Sequence, residues 1–306
     1  MISGTTALVG VLGQPVRHSL SPVIHNAALA AMNLDWCYLA MPCETHQLRT
    51  VLAGLRSIDC RGLNITIPHK QDVAELCIER SQIAQRVGAV NTLIPHADDT
   101  WKGTNTDVAG FLAPLQSRGS NWQGRNALVL GCGGSARAVV AGLQDLNLAQ
   151  ITVLGRRAEA LKAFLEDLSP GSMRANASSP KDPETQLQGA LAQESDLGLL
   201  ISKADLVVNT TPVGMSRAEA DPGSGSDLPL GQEVWRSLQP ATTLYDLIYT
   251  PRPTPWLRWG MEQGCQGIDG LEMLVQQAAA ALKLWSGRSD IPVDLMRAAA
   301  ESWLAH

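Results

Sequence analysis

A short apolar run, Asn126-Ala127-Leu128-Val129-Leu130, passes directly into Gly131-Cys132-Gly133-Gly134-Ser135-Ala136-Arg137 and then into an apolar helical pattern reaching about Leu146. This strand–turn–helix order constrains the chain more than any other stretch. The turn matches G-x-G-x-x-A, whose glycines let the backbone close on a pyrophosphate at a helix N-terminus, where free N–H groups and the helix dipole favour an anion. In that context the match points to a dinucleotide site more than to a tight turn alone. The next apolar run, Ile151-Thr152-Val153-Leu154, ends at Gly155-Arg156-Arg157 with no acid before Glu159. An acid there would hold a ribose 2′-hydroxyl, whereas arginine accommodates a 2′-phosphate, so the sequence favours NADP over NAD.

At 306 residues, 45% hydrophobic and 17% charged, the chain is long for a single core, and two domains are expected. A net charge of -5 with no long basic block argues against nucleic acid as the main partner. No apolar run is long enough to span a bilayer. The start, Met1-Ile2-Ser3-Gly4-Thr5-Thr6, has neither a charged n-region nor an apolar h-region, so a cytoplasmic location is expected. The six cysteines are scattered without a C-x-x-C pair or a nearby histidine cluster, which argues against a metal site.

Upstream, Ala7 to Leu12 reads as a buried strand broken by Gly13-Gln14-Pro15, and Val23 to Met32 has helical spacing with Ser21 as its N-cap and Pro22 at the first helical position. Ser19 and Ser21 either cap this helix or cradle a carboxylate at its N-terminus. A strand over Trp36 to Met41, a helix over Glu44 to Ser57 and a strand over Gly62 to Ile67 follow, an alternation that implies a mostly parallel α/β sheet. Asn64-Ile65-Thr66-Ile67-Pro68-His69-Lys70 sets amide, hydroxyl and ammonium groups around a β-branched run, and Pro68 stops the strand. Lys70 is either a surface charge after a turn or a group that binds an anion or passes a proton. Gln71 to Arg86 reads as helical with a break near Ser81, and Gly88 to Ile94 as a strand carrying Asn91. Trp101 to Asp107 reads as a lead into a helix starting near Val108, with Asp107 as its cap, a role compatible with a second one for the carboxylate.

Downstream, residues 169–195 read as including a mobile loop, Asp205 to Met215 as a strand ending in a polar turn, and 221–227 as a flexible Gly/Ser insertion. Thr243 to Tyr249 reads as a further strand, and two amphipathic helices, Leu271 to Trp285 and Val293 to Leu304, close the chain.

Ser19-Leu20-Ser21-Pro22, Asn64 to Lys70, Gly88-Ala89-Val90-Asn91-Thr92, Asn105-Thr106-Asp107, Gly131 to Ala136, Tyr245-Asp246-Leu247-Ile248-Tyr249 and Asp269 to Gln277 occur in this order, and as an ordered set resemble the shikimate dehydrogenase family over nearly the whole chain. The resemblance implies an oxidoreductase that interconverts 3-dehydroshikimate and shikimate with NADP, a step towards chorismate and the aromatic amino acids. It implies an N-terminal α/β substrate domain (1–107), a Rossmann-like NADP-binding domain (108–268), and C-terminal helices (269–306) that pack back on the first domain, with the active site in the cleft between domains. Lys70 and Asp107 carry over as the catalytic pair. Ser19, Ser21, Asn64, Thr66, Asn91, Tyr249 and Gln277 carry over as substrate contacts. Gly131, Cys132, Gly133, Gly134, Ser135, Ala136, Gly155, Arg156, Arg157, Thr210, Met215 and Gly270 carry over on the cofactor side. The chain departs from the family at Gly155, where asparagine is frequent, and at Cys132, where alanine is common; the Gly/Ser insertion has no family role.

The partner expected is one small molecule, with no nucleic acid, no membrane and a monomeric or homodimeric state. Two rivals use much the same motifs: a quinate or dual quinate/shikimate dehydrogenase, which often uses NAD, and a catalytically silent metabolite-binding relative. The arginines speak against the first, and the presence of both Lys70 and Asp107 against the second.

Overall fold

A computed structural model of the chain describes residues 2–169, 185–193, 196–215 and 228–305. It begins with β1 (Ala7–Gly13), α1 (Ser21–Ala31), β2 (Trp36–Pro42), α2 (Leu48–Ser57) and β3 (Gly62–Ile65). Then come β4 (Glu79–Arg80), α3 (Gln82–Val87), β5 (Thr92–Pro95), β6 (Trp101–Thr104) and α4 (Asp107–Ser117). Val9, Val11 and Leu12 of β1 are buried, as the uninterrupted apolar run requires of a strand covered on both faces. The strand order is β2-β1-β3-β5-β6-β4. The sheet is mixed: β1 pairs parallel with β2 and β3, whereas β5 runs antiparallel to both β3 and β6.

The structure corrects several local expectations. The stretch expected to lead into a helix contains β6, which pairs antiparallel with β5 and parallel with β4, so that β5 alone runs against the other strands of the sheet. The stretch expected to be helical after Gln71 contains only a 3-10 turn at Val73–Leu76, the strand β4, and α3 capped by the Ser81 hydroxyl. Ser21 is not a cap but the first residue of α1; its backbone N–H donates to the Ser19 hydroxyl at 3.2 Å. Likewise Asp107 lies inside the first turn of α4, and the Asn105 side chain accepts its backbone N–H at 3.0 Å.

The second part comprises β7 (Asn126–Leu130), α5 (Gly134–Asp145), β8 (Gln150–Gly155), α6 (Ala158–Leu168), β9 (Gln186–Leu191) and α7 (Leu197–Ser202). It continues with β10 (Leu206–Asn209), α8 (Gln232–Trp235), β11 (Thr243–Asp246), α9 (Pro255–Glu262) and β12 (Gln266–Ile268). All neighbouring strands run parallel in the order β12-β11-β10-β7-β8-β9. That is the doubly wound order, with its switch point between β7 and β10, where such sheets open a crevice for ligands at the strand C-termini. Part of the segment expected to be a mobile loop, residues 170–184 and 194–195, and the insertion 221–227 lie outside the described residues; residues 186–191 of that segment form β9.

The chain ends with α10 (Leu271–Ser286) and α11 (Val293–Leu304). Two compact units result, 1–113 with 272–306, and 114–271. Within the first, α11 packs along α1, and Trp285 of α10 donates its indole N–H to the Leu93 carbonyl at 3.0 Å. Among the described residues no helix is long and apolar enough to cross a membrane.

Candidate active site

In the turn after β3, consecutive side chains part company. His69 is fully buried towards the core, with Nε2 2.7 Å from the Cys43 carbonyl oxygen. Lys70 turns the other way, and its Nζ donates to Asp107 Oδ2 at 2.6 Å. Lys70 is only 9% exposed and Asp107 5%, so this is an internal ion pair and not a surface lysine. A pair so enclosed needs its remaining lone pairs satisfied, because an unmatched buried charge is costly. Asn91 meets that need: its Nδ2 donates to Asp107 Oδ1 at 2.8 Å.

The Asn91 amide is itself locked. Its Oδ1 accepts the Thr106 backbone N–H at 2.8 Å and the Thr92 hydroxyl at 2.9 Å, while its Nδ2 also reaches Thr106 Oγ1 at 3.0 Å and Gln277 Oε1 of α10 at 3.5 Å. Asn64 on β3 donates to Thr92 Oγ1 at 3.2 Å and to the Asn91 carbonyl at 3.3 Å, and accepts the Tyr38 hydroxyl at 2.8 Å. One buried hydrogen-bonded group in the first unit therefore unites Lys70, Asp107, Asn91, Asn64 and Gln277. Thr66 and Ser19 are half-buried and Ser21 is buried. Thr92, Thr106 and Tyr38 carry much of this network, and sequence reasoning missed all three as site residues. The two threonines sit within motifs that carry the family resemblance, and Tyr38 is one of only three tyrosines in the chain.

Such an arrangement can move a proton. It offers an N–H donor held by a carboxylate, with amides and hydroxyls around it that suit a polyhydroxylated ring.

In the second unit, β7 leads straight into Gly131 at φ +103°, where a Cβ would stand 2.8 Å from Thr210 Oγ1; only glycine is comfortable there. Gly133 caps α5 with no side-chain bond to the first turn, and a Cβ built on it meets nothing within 4 Å. A free helix N-terminus bordered by open space fits a dinucleotide pyrophosphate. Gly134, Ser135 and Ala136 form the first turn of α5, and Cys132 is half-buried beside them. Thr210 donates to the Leu130 carbonyl at 2.7 Å. After Gly155, Arg156 and Arg157 are both exposed. Gly155 has a packing reason: a Cβ there would lie 3.0 Å from Leu161 Cβ of α6.

At the ends of β10 and β11, Asn209 and Asp246 hold two turns together. Asn209 donates to Asp246 Oδ1 at 3.0 Å and accepts the Thr211 backbone N–H at 3.0 Å. Asp246 accepts the Ile248 N–H at 3.1 Å and the Thr254 hydroxyl at 2.8 Å. Burial outweighs these bonds and pushes the Asp246 carboxyl up to about 6. The same turn ends β11 at Asp246, shorter than the strand to Tyr249 expected from sequence. Tyr249 is half-buried, Met215 exposed, and Gly270 lies against the Leu247 carbonyl. These three belong to the second unit. Among the described residues no group of three or more His, Cys, Asp or Glu could hold a metal ion.

Comparison with known proteins agrees with both units. Residues 11–93 match the model described as "Shikimate dehydrogenase substrate binding domain", and residues 270–301 that described as "Shikimate 5'-dehydrogenase C-terminal domain". A Prochlorococcus marinus (strain MIT 9215) protein named shikimate dehydrogenase (NADP(+)) is 42% identical, covering 99% of this chain and 100% of its own. A Synechocystis protein of the same name is 46% identical, over 97% of this chain and 96% of its own. The crystal structure of a Thermus thermophilus shikimate 5-dehydrogenase in complex with NADP(H) and shikimate is 32% identical, with a TM-score of 0.78 over 97% of this chain and 99% of that one. Similarity this high, running almost from end to end of both partners, leaves one placement: the chain belongs to the shikimate dehydrogenase (NADP(+)) family.

Proposed function

We propose that this chain reversibly reduces 3-dehydroshikimate to shikimate with NADPH, in the route to chorismate and the aromatic amino acids. The single observation that carries the reading is the buried Lys70–Asp107 pair at 2.6 Å, with Asn91 on the second carboxylate oxygen. The first unit binds the ring. Ser19 and Ser21 at the start of α1 face its carboxylate, and Asn64, Thr66, Asn91 and Gln277 serve its hydroxyls; Tyr249 carries over from the family resemblance as a further substrate contact. The second unit holds the cofactor: Gly131 to Ala136 take the pyrophosphate, Arg156 and Arg157 the 2′-phosphate, and Thr210, Met215 and Gly270 line its remaining length. Bound NADPH supplies the hydride.

Lys70 Nζ gives a proton to the substrate oxygen as the alcohol forms and recovers it in the reverse direction. Asp107 Oδ2 holds that ammonium in place. Asn91 prevents the carboxylate from turning away, so the donor is positioned before substrate arrives. The same proposal makes the protein a cytoplasmic enzyme, monomeric or homodimeric, with no nucleic-acid or membrane partner; its net charge of -5 supports the nucleic-acid part.

Initial rates with shikimate and quinate, each against NADP and NAD, test the reading. Shikimate with NADP is expected to exceed every other combination by about tenfold or more in kcat/KM, the discrimination one well-placed polar or charged contact supplies. Quinate turned over equally well establishes the dual-specificity rival, and no turnover in any combination establishes the silent one.

A further inference from the structure

Tyr38 is fully buried on β2, an edge strand, and three features hold it. The Asn26 amide of α1 donates to its carbonyl and accepts its N–H, both at 2.9 Å, satisfying the backbone of the open edge. His25, the preceding residue of α1, stacks on its ring with centroids 4.1 Å apart and planes 3° from parallel. Trp285 of α10 tilts against both rings, at 5.5 Å from His25 and 6.3 Å from Tyr38. So much packing for one phenol leaves its hydroxyl a single direction to point, and it points at the Asn64 amide, donating to Oδ1 at 2.8 Å.

An amide side chain can present either end. With a permanent O–H donor at its oxygen, Asn64 must turn its NH2 towards Thr92 and the Asn91 carbonyl, which is the arrangement present. Burial raises the phenol's pKa well above its ordinary range, so the hydroxyl stays protonated and remains a donor.

We propose that Tyr38 is a positioning residue for the substrate: through its hydroxyl it fixes which end of the Asn64 amide faces the ring. It touches neither the reacting atoms nor the cofactor. The proposal rests on Asn64 being a substrate contact, and the experiment separates failure of that reading from failure of the Tyr38 role.

The experiment is a kinetic double-mutant cycle with Tyr38→Phe, which keeps the ring and its stack, and Asn64→Ala. Tyr38→Phe is expected to raise the KM for shikimate about tenfold, the cost of one unmade buried hydrogen bond, while kcat stays within about threefold and the KM for NADP within about twofold. In an Asn64→Ala background the same change is expected to add no more than about twofold, because the partner it acts through is gone. Full additivity, an unchanged shikimate KM in folded Tyr38→Phe, or an equal rise in both KM values overturns the positioning role. If Asn64→Ala itself leaves the shikimate KM unchanged, the substrate contact falls and Tyr38's role with it. Should Tyr38→Phe not fold, Trp285→Phe, which loosens the stack that aims the phenol, decides in its place: a rise of about threefold or more in shikimate KM that disappears in the Asn64→Ala background supports the role, and additivity overturns it.

Discussion

His25 and Asp246 are buried ionisable groups that pull stability in opposite directions with pH. Burial drives the His25 pKa down to about 3, against a smaller pull from the Asn64 side chain, so the folded state keeps it neutral while the unfolded chain protonates it below about 6.5. Stability is therefore intact above the unfolded value and is lost as pH falls from there towards 3. Asp246, with its carboxyl raised to about 6, acts in reverse: its contribution is full below the unfolded pKa near 4 and is lost as pH rises through 6. Between pH 4 and 6 the two slopes oppose each other. His25→Phe keeps a flat ring on Tyr38 and removes one slope, so the stability lost between pH 7 and pH 5 is expected to be about 2 kcal/mol less than in the parent. Urea unfolding at both pH values measures this, and parallel pH dependences would show that His25 is not held neutral. Legibility at this scale is uneven. Lys70 and Asp107 stand out in the sequence as types, but the parting of His69 from Lys70, the bond from Tyr38 to Asn64 and the locking of Asn91 by Thr92 and Thr106 depend on which way each side chain faces, and no local spacing encodes that.

The proposed cofactor preference rests on the β8–α6 connection. Its two arginines are exposed at the end of a buried parallel strand, free of structural partners among the described residues, as ligand-facing cations should be. Replacing both with alanine is expected to raise the KM for NADP about 10- to 100-fold, the loss of a charge-assisted bond or two, and to leave the KM for NAD nearly unchanged. An unaltered ratio between the cofactors contradicts the assignment. The glycine at 155 is explained by the close approach of Leu161. The elements that read well from sequence are those with long apolar runs covered on both faces, β1, β7 and β8. β6, with a glycine among four residues, offers no period to recognise. β9, on the sheet edge, alternates glutamine with apolar residues and is only partly buried, so its sequence resembles loop.

Over the whole molecule, the parallel sheet of the second unit is legible because one glycine turn and two strands define a doubly wound half. The mixed sheet of the first is not, since its one reversed strand, β5, pairs with β3 and β6, short strands whose register only the fold supplies. The return of α10 and α11 to the first unit follows from resemblance alone. It matters because α10 delivers Gln277 to Asn91 and Trp285 to the Tyr38 stack. The measurement that bears most directly on the catalytic reading is single-turnover and steady-state kinetics of Lys70→Met. Methionine keeps much of the stem but cannot pass a proton; it also strips the Asp107 carboxylate of its cation and leaves it the Asn91 amide, so folding and NADP binding must be measured beside rate. A folded, NADP-binding variant with kcat reduced about 10²–10⁴-fold is the expected result, the range for a positioned acid–base group. A kcat within a few-fold of the parent, with only KM changed, would make Lys70 a binding residue and contradict its role in the chemical step.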